Sequence, residues 1–443
     1  MNTKSTAHDQ YKSDFNYFRS GRSSPKWLDQ LHLEGFNSFQ ESGFPVAAKN
    51  NENWRFTNVK PLSDIRFKYN SEHTTAQLDT TEIKSLFPWD ERWHTMVFMD
   101  GIYNSTLSTT NIIEGKLESL SNTISANDDS ITEHLGKYLP VKHDGFTAIN
   151  TAFLNEGAVI KIPDNQNTET PVHLLFISTG SITDSVSHPR SLVILGENSS
   201  LNLIESYVSL SDKQYFTNSL AEVILSKGAQ LEHYRYMSES SRAFHIGNTQ
   251  VQLESNAQFK TTSISKGAQL ARNALHVSLN GINSSCSITG LYLTEKTQHI
   301  DNHINVEHMV PQCSSYQHFK GVLDDRSKAV FSGRVVVHKD AQKTIAHQSD
   351  KNLILSQGAR INTKPSLEIF ADDVECTHGA TAGSVAEDAL FYMRSRGIDE
   401  KTAKQILISG FAAEIVETIP IDSLKAYLTE MISKTLSGPV IAA

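Results

Sequence analysis

The chain has 443 residues, of which 40 are Lys or Arg and 49 are Asp or Glu, so its formal net charge at pH 7 is −9. This length can bury a large core, either as about three ordinary domains or as one long repetitive body. Small disulfide scaffolds and disordered chains are therefore excluded. An acidic chain without a dense Lys/Arg run is also not expected to bind nucleic acid.

The sequence carries no pattern typical of a secreted or membrane protein. No apolar run reaches the roughly 18 residues of a membrane helix, and residues 1–20 are polar, without the apolar stretch of a secretory signal. The three cysteines, Cys286, Cys313 and Cys376, form neither a disulfide framework nor a CxxC zinc motif. We therefore expect a cytoplasmic protein with reduced thiols that does not enter a membrane.

Residues 1–139 are predicted to form an N-terminal helical and mixed domain. Ser24 is placed to cap a helix that starts at Pro25, and apolar residues from Trp27 to Phe39 follow at helical spacing. Gly43 and Pro45 are expected to end this helix. The aromatic segment at 54–57 then predicts a cap that packs on a larger body.

Residues 140–384 predict a long all-β core. Short runs rich in Val, Ile, Leu, Thr and Ser alternate with turn residues. A small residue recurs at the turns at intervals of 28 to 30 residues, and the predicted equivalent positions are Ser200, Ala229, Ala257 and Ser285, with a further pair at Ala329 and Ala359. This period is typical of the coils of a parallel β-helix with small residues at tight corners.

A β-sandwich is the structural alternative, but it gives no reason for the same turn to return at coil spacing. A stacked β-helix leaves open edges at its ends, so helical caps or a partner are expected to cover them. The fold class predicted is thus mainly β, a parallel β-helix with flanking helical domains.

Residues 385–443 predict a C-terminal helical domain. A short helix spans 387–395, a second follows Asp399, and a third carries an apolar stripe at Leu424, Tyr427, Leu428, Met431 and Ile432. Such a stripe usually packs within its own chain, although it also suits a docking surface.

Two groups of residues are candidate metal ligands. The larger contains His299, His303, His308, Cys313, His318, His338 and His347, which together suit iron, zinc or copper if they converge. On strands they need not converge, and histidines on a solvated sheet face are common. The chain has no GxxxxGK[ST] phosphate loop, GxGxxG, HExxH or GxSxG motif.

The second group is Cys376 with His378. Residues two apart on a strand project from the same face, so the thiol and the imidazole can face one metal. The alternative is a polar turn at the end of a strand with a buried free cysteine.

The sequence around this pair resembles the SufB/SufD family of iron-sulfur cluster assembly proteins. The resemblance is specific over about 299–415, and the runs that carry it most clearly are 364–381 and 391–398, with further matches at 320–325, 331–333, 341–344, 348–353 and 54–57. SufB members carry Glu where this chain has Gly379, so the His-Gly-Ala-Thr form at 378–381 points to the SufD branch.

The resemblance implies a right-handed parallel β-helix between helical domains, in a complex with a SufB-like subunit and a SufC-like ATPase. It implies a non-catalytic scaffold role, with iron entry and a nascent iron-sulfur cluster at the interface between the two related subunits. His378 matches a family position near that cluster. Cys376 matches the companion position two residues earlier, whose role is less defined. The region of Arg394, Arg396, Gly397 and Ile398 matches the ATPase docking site, and ATP hydrolysis is expected in the partner, with no nucleotide on this chain.

A β-helix enzyme acting on carbohydrates is the rival function, since that fold hosts lyases and hydrolases, but fold alone is a weak argument. A metal-storing protein built on the histidine group is a third reading, and it predicts stoichiometric metal on the isolated chain.

Overall fold

The computed structural model of the chain describes residues 4–20, 22, 24–69, 80–110, 115–128 and 131–436. Its N-terminal part consists of short helices and strands: α1 (Lys4–Ser20), α2 (Lys26–Ser42), a 3-10 turn (Glu52–Trp54), α3 (Lys60–Ser63), β1 (Lys68–Tyr69), α4 (Thr80–Leu86), β2 (His94–Met99), β3 (Ile102–Thr109), β4 (Lys116–Ser119), α5 (Leu120–Ser125) and α6 (Gly145–Ala152).

The middle of the chain is a series of strands, most of them ten residues long: β5 (Ala158–Ile162), β6 (Val172–Ser178), β7 (Ser185–Ser187), β8 (Arg190–Leu195), β9 (Ser200–Ser209), β10 (Tyr215–Leu225), β11 (Gln230–Glu239), β12 (Phe244–Leu253), β13 (Gln258–Gly267), β14 (Leu270–Leu279), β15 (Ser285–Thr294), β16 (His299–His308), β17 (Ser314–Leu323), β18 (Lys328–Val337), β19 (Thr344–Ile354), β20 (Arg360–Ile369) and β21 (Val374–Gly383). Three helices follow: α7 (Glu387–Ser395), α8 (Glu400–Val416) and α9 (Asp422–Leu436).

The strands form a β-solenoid of about eight turns, which confirms the predicted β-helix. Sheet A has the order β20-β18-β16-β14-β12-β10-β8-β5-β4, and sheet B has the order β21-β19-β17-β15-β13-β11-β9-β6-β2-β3. From β8 onward, successive strands therefore alternate between the two sheets. From β8 to β19 each strand pairs in parallel with the equivalent strand of the next coil.

The corner positions correct part of the predicted repeat. Ala229 and Ala257 are equivalent as predicted, because Gln230 pairs with Gln258. Ser200 and Ser285 are each one residue too late, since they pair with Gln230 and Gln258 themselves, so the true corner residues are Ser199 and Ser284. Ala329 and Ala359 are not equivalent, because Ala329 pairs with Ile361. Corner turns differ in length, so a spacing count drifts by a residue or two.

The corner stack continues through Cys313, whose carbonyl oxygen accepts the Ile345 N–H at 3.1 Å. The members from Ser199 to Cys313 are all buried, with at most 1% of each residue exposed. A larger side chain has no room there, which explains why the sequence keeps small residues at coil spacing.

The N-terminal part covers the outer face of sheet A. The helix predicted after Ser24 is α2, although Pro25 itself occupies the N-cap position and no side chain caps it. Downstream, Trp54, Val59, Leu62 and Phe67 pack on outward-facing residues of sheet A, namely Phe216, Phe244, Ile246 and Leu270. The guanidinium of Arg272 lies 4.1 Å from the centre of the Trp54 ring.

The C-terminal helices cover the outer face of sheet B. Asp399 caps α8 as predicted, accepting the Thr402 N–H at 3.0 Å. The stripe of Leu424, Leu428, Met431 and Ile432 on α9 is buried against sheet B and α8, so it is core. The domain limits at residues 139 and 384 stay predictions, and residues 437–443 lie outside the described part of the chain. None of the described helices is long and apolar enough to cross a membrane.

One buried ion pair joins the N-terminal part to the solenoid. Arg190 and Glu222 are fully buried on the outer face of sheet A, 2.8 Å apart. Arg190 also donates to the Thr151 hydroxyl of α6, and Glu222 accepts the N–H groups of Gly136 and Tyr138.

We expect Arg190→Met to lower the free energy of unfolding by about 3–5 kcal/mol, because the Glu222 carboxylate is left buried without its partner charge. Lys434→Ala is the control: it breaks an exposed pair with Glu430 on α9 that contributes about 0.3–0.5 kcal/mol. Denaturant unfolding followed by circular dichroism measures both. Equal, small losses in the two variants would contradict the role assigned to the buried pair.

Candidate functional site

The solenoid ends in a coil with free edges. β20 and β21 are the last strands of sheets A and B, and each pairs with a neighbour on one side only. We call these two strands the open rung. Ile369 and Phe370, where β20 ends, are exposed large hydrophobic residues. The open rung thus offers two lines of unpaired backbone groups beside exposed apolar surface, the usual features of a surface that another strand can join.

Cys376 and His378 both lie on β21 and face the lumen of the solenoid. Cys376 pairs in register with Ala346 and His378 with Gln348, and both of these partners are buried lumen residues. Cys376 is partly buried and packs against the lumen core, whereas His378 is exposed at the end of the stack. The two side chains therefore occupy one face of the open rung.

Burial changes the acid-base chemistry of the thiol. Desolvation raises the pKa of Cys376 above its usual value, and the nearby Glu375 carboxylate adds to the rise. The isolated chain therefore holds Cys376 as a neutral thiol near pH 7. A cation bound beside it would favour the thiolate, which is the form that binds metals.

Gly379 follows His378 and faces outward on β21. A Cβ atom at this position would meet nothing within 4 Å. The packing of this chain therefore does not require glycine there.

The larger histidine group does not converge. His299 and His303 lie on the outer face of sheet A, His318 and His347 lie on the outer face of sheet B, and His308 lies in the lumen, where it bonds to the Ser315 hydroxyl at 2.9 Å. Cys313 is a buried corner residue, and His338 lies 3.7 Å from Glu307. Within the described ranges no three His, Cys, Asp or Glu side chains form a metal-binding group. The prediction that these residues could converge on one metal ion is wrong, because the strand register places them on different faces.

The predicted docking residues lie at the end of α7 and in the turn before α8. Arg394 pairs with Glu400 at 3.4 Å, and the Arg396 guanidinium lies over the Tyr392 ring at 5.3 Å. Gly397 has a φ of +87°, which favours glycine at this helix end. Ile398 is half-buried.

Sequence reasoning missed the most exposed apolar side chains of this region. Phe391 is 75% exposed and Tyr392 is 59% exposed on α7. The sequence signal was an aromatic pair in a short helix, but spacing alone could not show that the pair faces outward.

Sequence reasoning also missed Lys320, the residue that anchors α8. Its side chain is only 2% exposed and donates to the Phe411 carbonyl oxygen at 3.0 Å and to the Glu414 carboxylate. Its ammonium group also lies 4.4 Å from the centre of the Phe411 ring. α8 is thus bound to the coil that precedes β19 and the open rung.

Comparison with known proteins finds two family models that together match most of the chain. The model described as "SUF system FeS cluster assembly, SufBD core domain" matches residues 176–411, and "SufBD protein N-terminal region" matches residues 1–174. The chain belongs to the SufB/SufD family of iron-sulfur cluster assembly proteins.

Named relatives agree with this membership. The chain is 33% identical to an iron-sulfur cluster assembly SufBD family protein of Synechocystis over 87% of this chain and 86% of that one. It is 30% identical to iron-sulfur cluster assembly protein SufD of Escherichia coli over 92% of each chain. It is 26% identical to iron-sulfur cluster assembly protein SufB of Bacillus subtilis over 69% of this chain and 64% of that one. The core model of the SufB/SufD family includes the open rung, α7 and most of α8.

Alkylation of the isolated chain tests the environment of the three free cysteines. We expect iodoacetamide to modify Cys376 alone, because Cys286 and Cys313 are buried. The rate should be low at neutral pH and should keep rising with pH beyond the usual pKa of a cysteine before it levels off, since burial raises the pKa of Cys376. Mass spectrometry of the labelled protein measures the rate, with Cys376→Ser as the control. Fast labelling at neutral pH would contradict the raised pKa.

Proposed function

We propose that this chain is a non-catalytic scaffold subunit of a cytoplasmic iron-sulfur cluster assembly complex. It pairs with a SufB-like subunit through the open rung and docks a SufC-like ATPase on its C-terminal helices. The observation that carries the proposal is the position of Cys376 and His378 together on the lumen face of the last strand of the solenoid. We interpret this position as a site of cluster assembly because the chain belongs to a family of iron-sulfur cluster assembly proteins.

The open rung supports pairing with a structurally related subunit. The N-terminal part covers sheet A and the C-terminal helices cover sheet B, but both sheets stop with a free edge at β20 and β21. Ten-residue edges expose many backbone N–H and C=O groups, which proteins usually cover or pair. A second solenoid that presents its own last coil satisfies these groups by continuing both sheets.

The ligand types at the open rung suit iron. A thiolate and a neutral imidazole are ligands of iron and of iron-sulfur clusters. Clusters commonly have four protein ligands, and this face supplies two candidates. The remaining ligands would then come from the paired subunit, so the nascent cluster is cargo of the interface rather than a resident cofactor of this chain.

The C-terminal helices suit docking of an ATPase. The chain lacks a phosphate loop, so the energy-transducing step is assigned to a partner. The exposed pair Phe391 and Tyr392 offers apolar area beside Arg394 and Arg396. Because Lys320 binds α8 to the solenoid, a displacement of the helices by the ATPase would reach the coils that lead to the open rung.

The carbohydrate-active alternative is not favoured. It rested on the β-helix fold alone, whereas the core family model matches residues 176–411 and describes cluster assembly. The metal-storage reading loses its basis with the dispersal of the histidine group.

His378→Ala tests the role of the open rung in the complex co-expressed with its SufB-like and SufC-like partners. We expect the complex to form normally and its yield of iron-sulfur cluster to fall by at least roughly tenfold, the loss that even an outer partner of a metal ligand can cause. Visible absorbance and iron and sulfide content measure the yield. The matched control is Thr377→Val, on the same strand but facing outward, where Thr377 bonds to His347 at 2.6 Å. Normal yield in the His378→Ala complex would reject a direct role for this residue.

Phe391→Ser tests ATPase docking. We expect the affinity for the SufC-like partner to fall about 30-fold, since a central aromatic anchor typically contributes about 2 kcal/mol. Phe370→Ser is the matched control, because Phe370 is also exposed but lies at the end of β20. Calorimetric titration with the purified ATPase measures both. Deleting residues after 385 is a poorer test, because it would also uncover the outer face of sheet B. Equal affinity in the two variants would place docking elsewhere.

A further inference from the structure

Directly behind His378, the lumen contains a column of glutamine side chains. In the parallel register Gln317 of β17 pairs with Gln348 of β19, and Gln348 pairs with His378 of β21. All three side chains project into the lumen, and neighbouring strands lie about 4.8 Å apart. The Gln348 amide is therefore the side chain immediately behind the His378 ring.

Both glutamines are buried without satisfied amides. Gln317 is 2% exposed and Gln348 is 4% exposed. Neither the Nε2 nor the Oε1 atom of either side chain has a hydrogen-bond partner among the described residues. Burying an unpaired amide is unfavourable, and an apolar side chain of similar volume avoids the cost. Ile288, the next residue of the same column, shows that the lumen accepts an apolar side chain there.

The lumen does pair its polar groups elsewhere in the same coils. Tyr292 donates its hydroxyl to Asn352 at 2.5 Å and to Asp350 at 3.2 Å, and the Asn352 amide donates to Asp350 at 2.8 Å. Gly321 leaves the space for this contact, since a Cβ there would lie 2.3 Å from both Tyr292 and Asn352. Gln317 and Gln348 thus stay unpaired although other polar groups of the same lumen find partners.

We propose that Gln348 is a positioning residue for His378. The structure leaves this bond unmade, but rotation of the exposed His378 side chain, one strand spacing away, lets the Gln348 amide oxygen accept the N–H of the ring nitrogen that faces the lumen. This bond fixes the tautomer and turns the other ring nitrogen toward the interface. Ring nitrogens of metal-binding histidines are commonly oriented by such an acceptor. Cys376 has Ala346 behind it, so of the two candidate ligands only the imidazole is supported in this way. The inference rests on the proposed function, in which His378 contacts iron or the nascent cluster.

The first test needs neither partner nor iron. Nitrogen-15 spectra of the isolated chain with labelled histidine identify the His378 signals by their loss in His378→Ala. We expect one dominant tautomer in the parent chain and a mixture of both in Gln348→Leu. Gln317→Leu is the control, because it changes the same residue type one coil deeper, about 10 Å from His378. It should leave the His378 spectrum unchanged. Equal tautomer populations in the parent and in Gln348→Leu would overturn the proposal.

The second test uses the complete complex and ferrous iron as the probe. We expect Gln348→Leu to weaken ferrous iron binding by roughly 10- to 100-fold, and Gln317→Leu to leave it unchanged. Gln317→Leu should unfold at the same temperature as the parent chain or higher, because it removes an unpaired buried amide, and Gln348→Leu should remain folded. If Gln348→Leu fails to fold, Gln348→Ala removes the same acceptor with less steric demand.

The outcomes separate this inference from the function on which it rests. Loss of iron binding in His378→Ala but not in Gln348→Leu would overturn the positioning role and leave the scaffold function standing. Equal losses in Gln317→Leu and Gln348→Leu would also overturn it, because the cause would then be lumen packing in general. Undiminished iron binding and cluster yield in His378→Ala would reject both the positioning role of Gln348 and the direct role of His378 in the proposed function.

Discussion

The in-register stacking of parallel strands from one coil to the next is the constraint on which the rest of this molecule depends. Each strand from β9 to β21 repeats the backbone path of the equivalent strand one coil earlier. A side chain therefore stands in a column with its equivalents, and a slip of one residue would exchange the lumen face for the outer face. Cys376 and His378 face the lumen because Ala346 and Gln348 do so one coil before. The site is thus positioned by backbone hydrogen bonds along the solenoid rather than by contacts of its own side chains.

Different parts of the chain cover the two outer faces of the solenoid, and its two ends also differ from each other. Aromatic residues of the N-terminal part cover sheet A, with Arg272 held between the Trp54 ring and the Asp301 carboxylate. The C-terminal helices cover sheet B, and buried Lys320 ties α8 to it. At the other end of the solenoid the two sheets end in the antiparallel edge strands β3 and β4. At the open rung both sheets end in parallel strands, and a thiol and an imidazole lie on the same face of its strand β21.

The sequence predicts the parallel coils, the helix after Pro25 and the three C-terminal helices, because each has a local signal: a spacing, a cap or an apolar stripe. It does not predict register. The predicted corner residues Ser200 and Ser285 lie one residue too late because corner turns vary in length. The same uncertainty hid the faces on which the histidines at 299–347 lie. The functional reading of Cys376 and His378 came from family resemblance over 299–415, which the family models extend to 1–174 and 176–411. No sequence pattern marks Gln348, because only its place in the column behind His378 distinguishes it from other polar strand residues.

In the proposed scaffold role the end coil must stay folded before a partner binds it. The backbone hydrogen bonds between β18 and β20 and between β19 and β21 supply most of the stability of this coil. Side-chain contacts on the outer faces add to it: Arg334 forms a two-point pair with Glu368 at 2.6 and 2.7 Å, Lys364 pairs with Glu52 of the N-terminal part, and His347 bonds to Thr377. Paired guanidinium and carboxylate groups hold geometry well even where exposure limits their contribution to stability. Because these contacts lie on the outer faces, they fix the open rung in place without occupying its lumen side, where Cys376 and His378 lie.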